Sequence, residues 1–140
     1  MSEGIYSESL AQIAAVLGGS GVGLGAMGAH QLAGVLAQKG LQDNWRTAVL
    51  YQLFHASAIV GLSALCASHE TAPEPRKSAL LSKYRTAGQL WGVGTVLFSG
   101  SVYCLCLGIG PRKILGPTTP IGGLLMIGGW AMLGLAPYLA

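Results

Sequence analysis

Gly18-Gly19-Ser20-Gly21-Val22-Gly23-Leu24-Gly25-Ala26-Met27-Gly28 is the stretch on which the reading of this chain turns. Residues 23–28 match the Gly-x-Gly-x-x-Gly pattern of a dinucleotide-binding turn. An apolar run, Ile13 to Leu17, precedes them, and an acid, Asp43, follows the first glycine by about twenty residues. That pattern carries meaning only where a strand turns into a helix inside a βαβ unit. The sequence on either side supplies no such unit. Instead, charged residues are missing from residues 9–38, 47–69, 86–111 and 114–140, and the eight Lys and Arg and five Asp and Glu cluster between those stretches or at the N-terminus. A soluble domain carries roughly a quarter of its residues as charge, whereas this chain carries 9 %. A helix needs about 20 mainly apolar residues to cross the hydrocarbon core, and every stretch is long enough. The glycines then read as small-xxx-small pairs, Gly19 with Gly23, Gly21 with Gly25 and Gly25 with Ala29, which let helix backbones approach closely in lipid.

The expected fold is all-α: a polytopic membrane protein of one domain, a compact bundle of four transmembrane helices over about 10–36, 45–67, 86–107 and 119–138. Lys39-Gly40 closes the first helix, with glycine suited to the position after a helix and lysine to its C-terminal dipole. Asp43 or Asn44 is expected to cap the second, beside an interfacial Trp45 and Arg46. Pro73 and Pro75 break the longest connection, and residues 78–84 suit a short interfacial turn. Thr119 followed by Pro120 reads as the cap and first residue of the fourth helix. Helix packing is expected at Gly19, Gly21, Gly23 and Gly25, at Gly88 and Gly92, and at Gly122 and Gly123; packing this tight argues against a roomy pore.

An even number of spans puts both termini on one side. Which side is not decided by the positive-inside rule: Arg76, Lys77, Lys83 and Arg85 fall on the terminal side, and Lys39, Arg46, Arg112 and Lys113 on the other. The N-terminal segment has acids, Glu3 and Glu8, and no Lys or Arg before the first span. It therefore resembles neither a secretory nor a mitochondrial leader, and the first span is expected to stay as an anchor. The small dispersed charge of +3 gives no case for nucleic acid. Of the three cysteines, Cys104 and Cys106 point to opposite sides of a helix, so a shared metal site is not expected and all three read as small apolar fillers.

At membrane depth the notable polar residues are His30, Gln31, Tyr51, Gln52 and His55. Tyr51 and His55 share a helix face. A hairpin turning near Leu41 sets residue 30 level with residue 52, so that His30 faces the Tyr51–His55 turn. Such a cluster is a hydrogen-bonded clamp between helices, a site for a proton, quinone or lipid headgroup, or a bis-histidine haem site. Gly28 and Ala29 at that level leave little room for a porphyrin. No carboxylate lies inside a span and no serine stands in a nucleophile elbow, so no catalytic residue and no enzyme activity are expected. No cofactor is expected either, although a bound lipid is compatible with the sequence.

Gly25-Ala26-Met27-Gly28-Ala29-His30 with Leu32, then Thr47-Ala48-Val49-Leu50-Tyr51-Gln52-Leu53-Phe54-His55-Ala56, resembles the small membrane family known as domain of unknown function 423, or transmembrane-protein-256-like. Phe98-Ser99-Gly100-Ser101-Val102-Tyr103, Thr119-Pro120-Ile121-Gly122-Gly123 and Gly129-Trp130 continue the resemblance in the same order, over about residues 10–136. It implies a four-helix bundle of bacterial inner membranes and of mitochondria. It also implies that His30, Tyr51, Gln52 and His55 occupy motif positions, and it brings no catalytic residues. The connection from Ser68 to Arg85 departs from the shorter bacterial pattern. The expected role is an accessory subunit of a larger membrane assembly, a respiratory-chain complex of the mitochondrial inner membrane, with lipids and other transmembrane subunits as partners. The alternatives are a bacterial inner membrane as location and a binding or transport module as function.

Overall fold

The computed structural model describes residues 4–69 and 74–140. The described residues form five helices and no strand: α1 (Gly4–Ala29), α2 (Ala33–Lys39), α3 (Gln42–His69), α4 (Arg76–Leu107) and α5 (Arg112–Leu139). Four of these, all but the seven-residue α2, are long and apolar enough to cross a membrane. Helix α3 packs antiparallel to α1 and to α4, and α4 packs antiparallel to α5, while the smaller α1–α4 contact is parallel. Both ends of the chain therefore lie on the same side.

The bundle is apolar outside and partly polar inside. Val16, Val22, Leu50, Val60, Leu124 and Ile127 are exposed, whereas Gln52, His55, Thr95, Ser99 and Ser101 are buried. In water this distribution is backwards. In hydrocarbon it is expected, because lipid accepts apolar surface freely while polar side chains must find partners within the protein.

Glycine sets the helix spacing, on a different stripe from part of the expected one. Gly18, Gly21, Gly25 and Gly28 recur at three and four residues and line one face of α1. A Cβ there would meet Ala56, Leu53, Val49 and Trp45 of α3, respectively. Gly19 and Gly23 have nothing within 4 Å of an added Cβ. One residue is a rotation of about 100° and two about 200°, which turns Gly19 and Gly23 off the packed face. On α4, Gly88 and Gly92 receive Leu10 and Ile13 of α1, and Gly94 receives Gly122 and Met126 of α5. On α5, Gly122 lies against the backbone of Phe98 and Gly94, and Gly129 lies under the ring of Trp91, while a Cβ added to Gly123 would only meet Phe98 at 3.9 Å. The α4–α5 crossing at Gly94 and Gly122 is thus a backbone-to-backbone contact.

Helix boundaries differ from expectation at four places. The first span does not continue to residue 36: α1 ends at Ala29, a three-residue turn follows, and α2 begins at Ala33. There the indole of Trp45 donates to the carbonyl of Leu24 at 2.9 Å and covers Gly28, while the Leu32 N–H reaches back five residues to Met27 at 2.8 Å. A side chain competing for the carbonyl ladder is a recognised cause of such a break. Asp43 and Asn44 are not caps but lie in the first turn of α3, with Asp43 3.4 Å from Arg46 at the exposed surface. Residues 78–84 are part of α4, which begins at Arg76 and buries Leu80, Leu81 and Tyr84.

Helix α5 begins seven residues before Thr119, which is therefore no cap. Its hydroxyl bonds back to Leu115 at 3.2 Å and lies 2.6 Å from that of Ser101 on α4. Pro117 and Pro120 both sit inside the helix, a placement tolerated in membrane helices whose neighbours and hydroxyls meet the disturbed backbone. Pro73 lies outside the described residues, as do the first three residues of the N-terminal segment. At the opposite end of the bundle, Gly40 and Gly108 adopt the left-handed conformation after α2 and α4. The ammonium of Lys39 donates to the Cys106 carbonyl at 3.2 Å, satisfying an acceptor at the negative end of α4.

Candidate functional site

The polar centre of the bundle is built where α1, α3 and α4 converge. Gln52 on α3 is 4 % exposed and uses both ends of its amide. Its Nε2 donates to the Leu17 carbonyl and to Ser20 Oγ of α1, each at 2.9 Å. Its Oε1 accepts from the Tyr103 hydroxyl of α4 at 2.9 Å. Ser20 in turn donates to the Val16 carbonyl at 2.6 Å. One side chain thereby ties three helices together. One turn along the same face, Ala48 of α3 offers its carbonyl to Ser99 Oγ of α4 at 2.8 Å. The pair Ala48–Gln52 thus meets the pair Ser99–Tyr103, both at four-residue spacing.

His55 lies one turn beyond Gln52 and is also 4 % exposed. Its Nδ1 is 2.9 Å from the Tyr51 carbonyl, and its Nε2 lies 3.3 Å from the indole N–H of Trp130 on α5. A carbonyl can only accept and an indole can only donate. These partners therefore assign the neutral tautomer with the proton on Nδ1. Aromatic rings cover the imidazole: Trp91 and Trp130 at 6.2 Å each and Phe54 at 5.4 Å, with Tyr51 stacked at 6.1 Å. Tyr51 also stacks on Phe98 at 4.8 Å, and Trp91 meets Trp130 at 4.5 Å with the rings tilted by 50°. The Trp91 N–H is buried without a hydrogen-bond partner, pressed against Gly129.

Of the five residues expected to cluster, the structure brings together Tyr51, Gln52 and His55, which share one helix. His30 and Gln31 are exposed in the turn after α1 and do not join them. The cause is register. Gly28 packs on Trp45, and Gly21 packs on Gln52 and Leu53, so the partners of Gln52 lie near residues 17–21 of α1. His30 sits nine residues further along, about 13 Å at 1.5 Å per residue. The chain between α1 and α3 is taken up by a turn and α2 rather than by a tight hairpin, which shifts every cross-helix pair. His30 and His55 do not face each other, so ligation of one haem by this pair has no geometric basis.

Ser20, Ser99, Tyr103, Trp91 and Trp130 belong to the polar centre and were not among the sequence candidates. The four-residue spacing of Ser99 and Tyr103 was the available signal. Chemically the arrangement is closed: the amide of Gln52 and both nitrogens of His55 are committed to partners inside the chain. Among the described residues no group of three or more His, Cys, Asp or Glu side chains gathers as a metal would require.

The family described as a protein of unknown function (DUF423) matches residues 24–123, which include the helix break and all of Tyr51, Gln52, His55, Ser99 and Tyr103. A UPF0382 membrane protein of Schizosaccharomyces pombe is 40 % identical over 124 residues, covering 86 % of this chain and 94 % of the relative. The UPF0382 membrane protein YwdK of Bacillus subtilis is 39 % identical over 115 residues, 82 % of this chain and 84 % of the relative. The UPF0382 inner membrane protein YgdD of Escherichia coli is 36 % identical over 121 residues, 86 % and 82 % of the two chains. No solved structure matches. With four membrane-length helices and this extent of similarity, the chain is an integral membrane protein and belongs to the DUF423 family.

Proposed function

We propose that the protein is a non-catalytic accessory subunit of a larger membrane assembly, holding transmembrane neighbours rather than transforming or carrying a substrate. The observation that carries this reading is the closure of the polar centre. Gln52, Tyr103, Ser20 and Ser99 each bond across helices, and His55 is held between a carbonyl and an indole. Polar groups that move protons or bind ligands at membrane depth face a cavity or pathway, and these face one another. This counts against a transport or cofactor-binding module centred on His55.

A second feature supports a neighbour. Gly19 and Gly23 sit in the middle of α1 with open space around them. Glycine in a helix interior is disfavoured by about 1 kcal/mol relative to alanine, and the chain's own packing gives no reason for it at these positions. Close approach by a helix from another subunit is such a reason.

We place the assembly in the inner membrane of mitochondria as a respiratory-chain complex, with the bacterial inner membrane as the equivalent setting. The support is that one relative comes from a yeast and another is an inner membrane protein of Escherichia coli. The test is to tag the chain in its own membranes, extract with a mild detergent, and separate by native electrophoresis with mass spectrometry of each band. Co-migration with respiratory-chain subunits is expected. Migration as the free chain, in membranes where those complexes stay intact, overturns the proposal.

A further inference from the structure

Outside the polar centre, a groove of about 620 Å³ lies on the outer face of the bundle, between α1 and α4. These helices run parallel and meet where Leu10 and Ile13 press on Gly88 and Gly92. The groove opens beside that line, with apolar walls of Ile13, Val16, Gly92, Val93 and Val96. Its other character is confined to one end, where Ser9, Gln12 and Gln89 line it. Both glutamines are exposed. Gln12 lies one turn inside Glu8, and Gln89 one turn inside Arg85, the last charged residues before each apolar stretch. One turn is about 6 Å, which sets the amides just below the charged interface on the terminal side.

We propose that this groove binds one membrane phospholipid, its glycerol-ester region at Gln12 and Gln89 and an acyl chain along Ile13, Gly92, Val93 and Val96. The dimensions separate this occupant from a helix. From Gln89 to Leu97 the groove extends eight residues along α4, about 12 Å. The hydrocarbon core is about 30 Å thick, so the groove reaches into one leaflet only, where a transmembrane helix would need a surface running the whole depth. An occupant entering from one interface, polar at the top and apolar below, has the architecture of a lipid. The chemistry agrees: amide N–H groups are donors, and the ester carbonyl oxygens of a phospholipid are acceptors at that depth. Gly92 keeps the floor open, since a side chain there would already press on Ile13 at 3.2 Å.

The full chain, purified in detergent, stripped of lipid by extended washing and then incubated with phosphatidylcholine, is measured by native mass spectrometry. One phospholipid retained per chain is expected. Val93→Trp and Val96→Trp fill the groove from positions that are 55 % and 59 % exposed and so leave the core intact. Each is expected to lower the retained fraction by about fivefold or more. Gln12→Leu with Gln89→Leu is expected to lower it by about threefold. Leu124→Trp, at a position 67 % exposed on α5, leaves it unchanged. Should one variant fail to fold, a photoreactive benzophenone side chain at position 96 provides the second readout, and a phospholipid adduct is expected. A wild-type chain that emerges free of lipid overturns the proposal. So does equal retention by the groove variants and Leu124→Trp, or a polypeptide as the adduct at position 96.

Discussion

Gln52 concentrates more interhelical bonding than any other side chain described, and its substitution gives the sharpest test at the scale of one residue. Gln52→Leu removes two donors and one acceptor and strands the buried Tyr103 hydroxyl. Interhelical hydrogen bonds in membranes contribute roughly 0.6–2 kcal/mol each, so a loss of about 2–3 kcal/mol is expected. Tyr103→Phe removes a single bond and should lower stability by about 1 kcal/mol. The double variant should fall short of the sum, because both remove the same bond; unfolding titrations in mixed micelles measure all three. His55→Leu takes the acceptor from Trp130, so the indole proton of Trp130 should move upfield by NMR while the chain remains folded. Tyr51, Gln52 and His55 were legible in the sequence as polar residues at a depth where polar groups need partners. Their partners were not, because pairing depends on register. Register depends on how the chain turns between α1 and α3, and no residue pattern announced a break at His30 followed by the short α2.

Among the elements, glycine shows how far a motif predicts packing. The expected pairs Gly21–Gly25 and Gly88–Gly92 do line helix contacts, whereas Gly19 and Gly23 share the same four-residue spacing, and a Cβ added at either would meet none of the described residues within 4 Å. Spacing identifies residues on a common face; which face is buried follows only from the neighbours. Gly28, Gly94 and Gly129 also sit in close helix contacts, comparable with those of Gly21, Gly88 and Gly122. Gly122→Ala drives a methyl into the Phe98 backbone, and Gly129→Ala drives one into the Trp91 ring. Neither backbone nor a buried, closely packed indole can yield cheaply, so each should destabilise the chain by about 2 kcal/mol or more.

Gly19→Ala and Gly23→Ala should instead stabilise the isolated chain, by up to about 1 kcal/mol each from helix propensity. The same two variants should reduce recovery of the chain in its native assembly if another helix uses that face. Thermal denaturation of the purified chain and native electrophoresis of membranes read the two effects separately. The misread start of α5 has a related cause. Thr119-Pro120 has the form of a helix start in water, but in lipid proline is accepted inside a helix, and Thr119 bonds to Leu115 and Ser101 instead.

For the whole molecule, the four spans and the common side of the termini were readable from the distribution of charge, because the thickness of a bilayer leaves few alternatives. Orientation is a different matter, and the structure makes the balance concrete. The terminal side carries Arg76, Lys77, Lys83 and Arg85 in the first turns of α4; the other side carries Lys39, Arg46, Arg112 and Lys113 around the starts of α3 and α5. Basic residues are retained on the cytoplasmic or matrix side, and equal numbers leave the chain near the point where small changes decide. Each Lys or Arg near an anionic surface contributes about 1 kcal/mol, so removing two from one side should bias orientation by about 2 kcal/mol, roughly thirtyfold. Arg112→Gln with Lys113→Gln should therefore drive the termini to the retained side, and Arg76→Gln with Lys83→Gln should drive them away from it. Paired C-terminal fusions, one reporter active on each side of the membrane, read the ratio directly. Shifts in opposite directions are expected. If neither pair moves the ratio, charge does not set the orientation, and the determinant must instead be sought in a contact made during insertion, where an accessory subunit would first meet its neighbours.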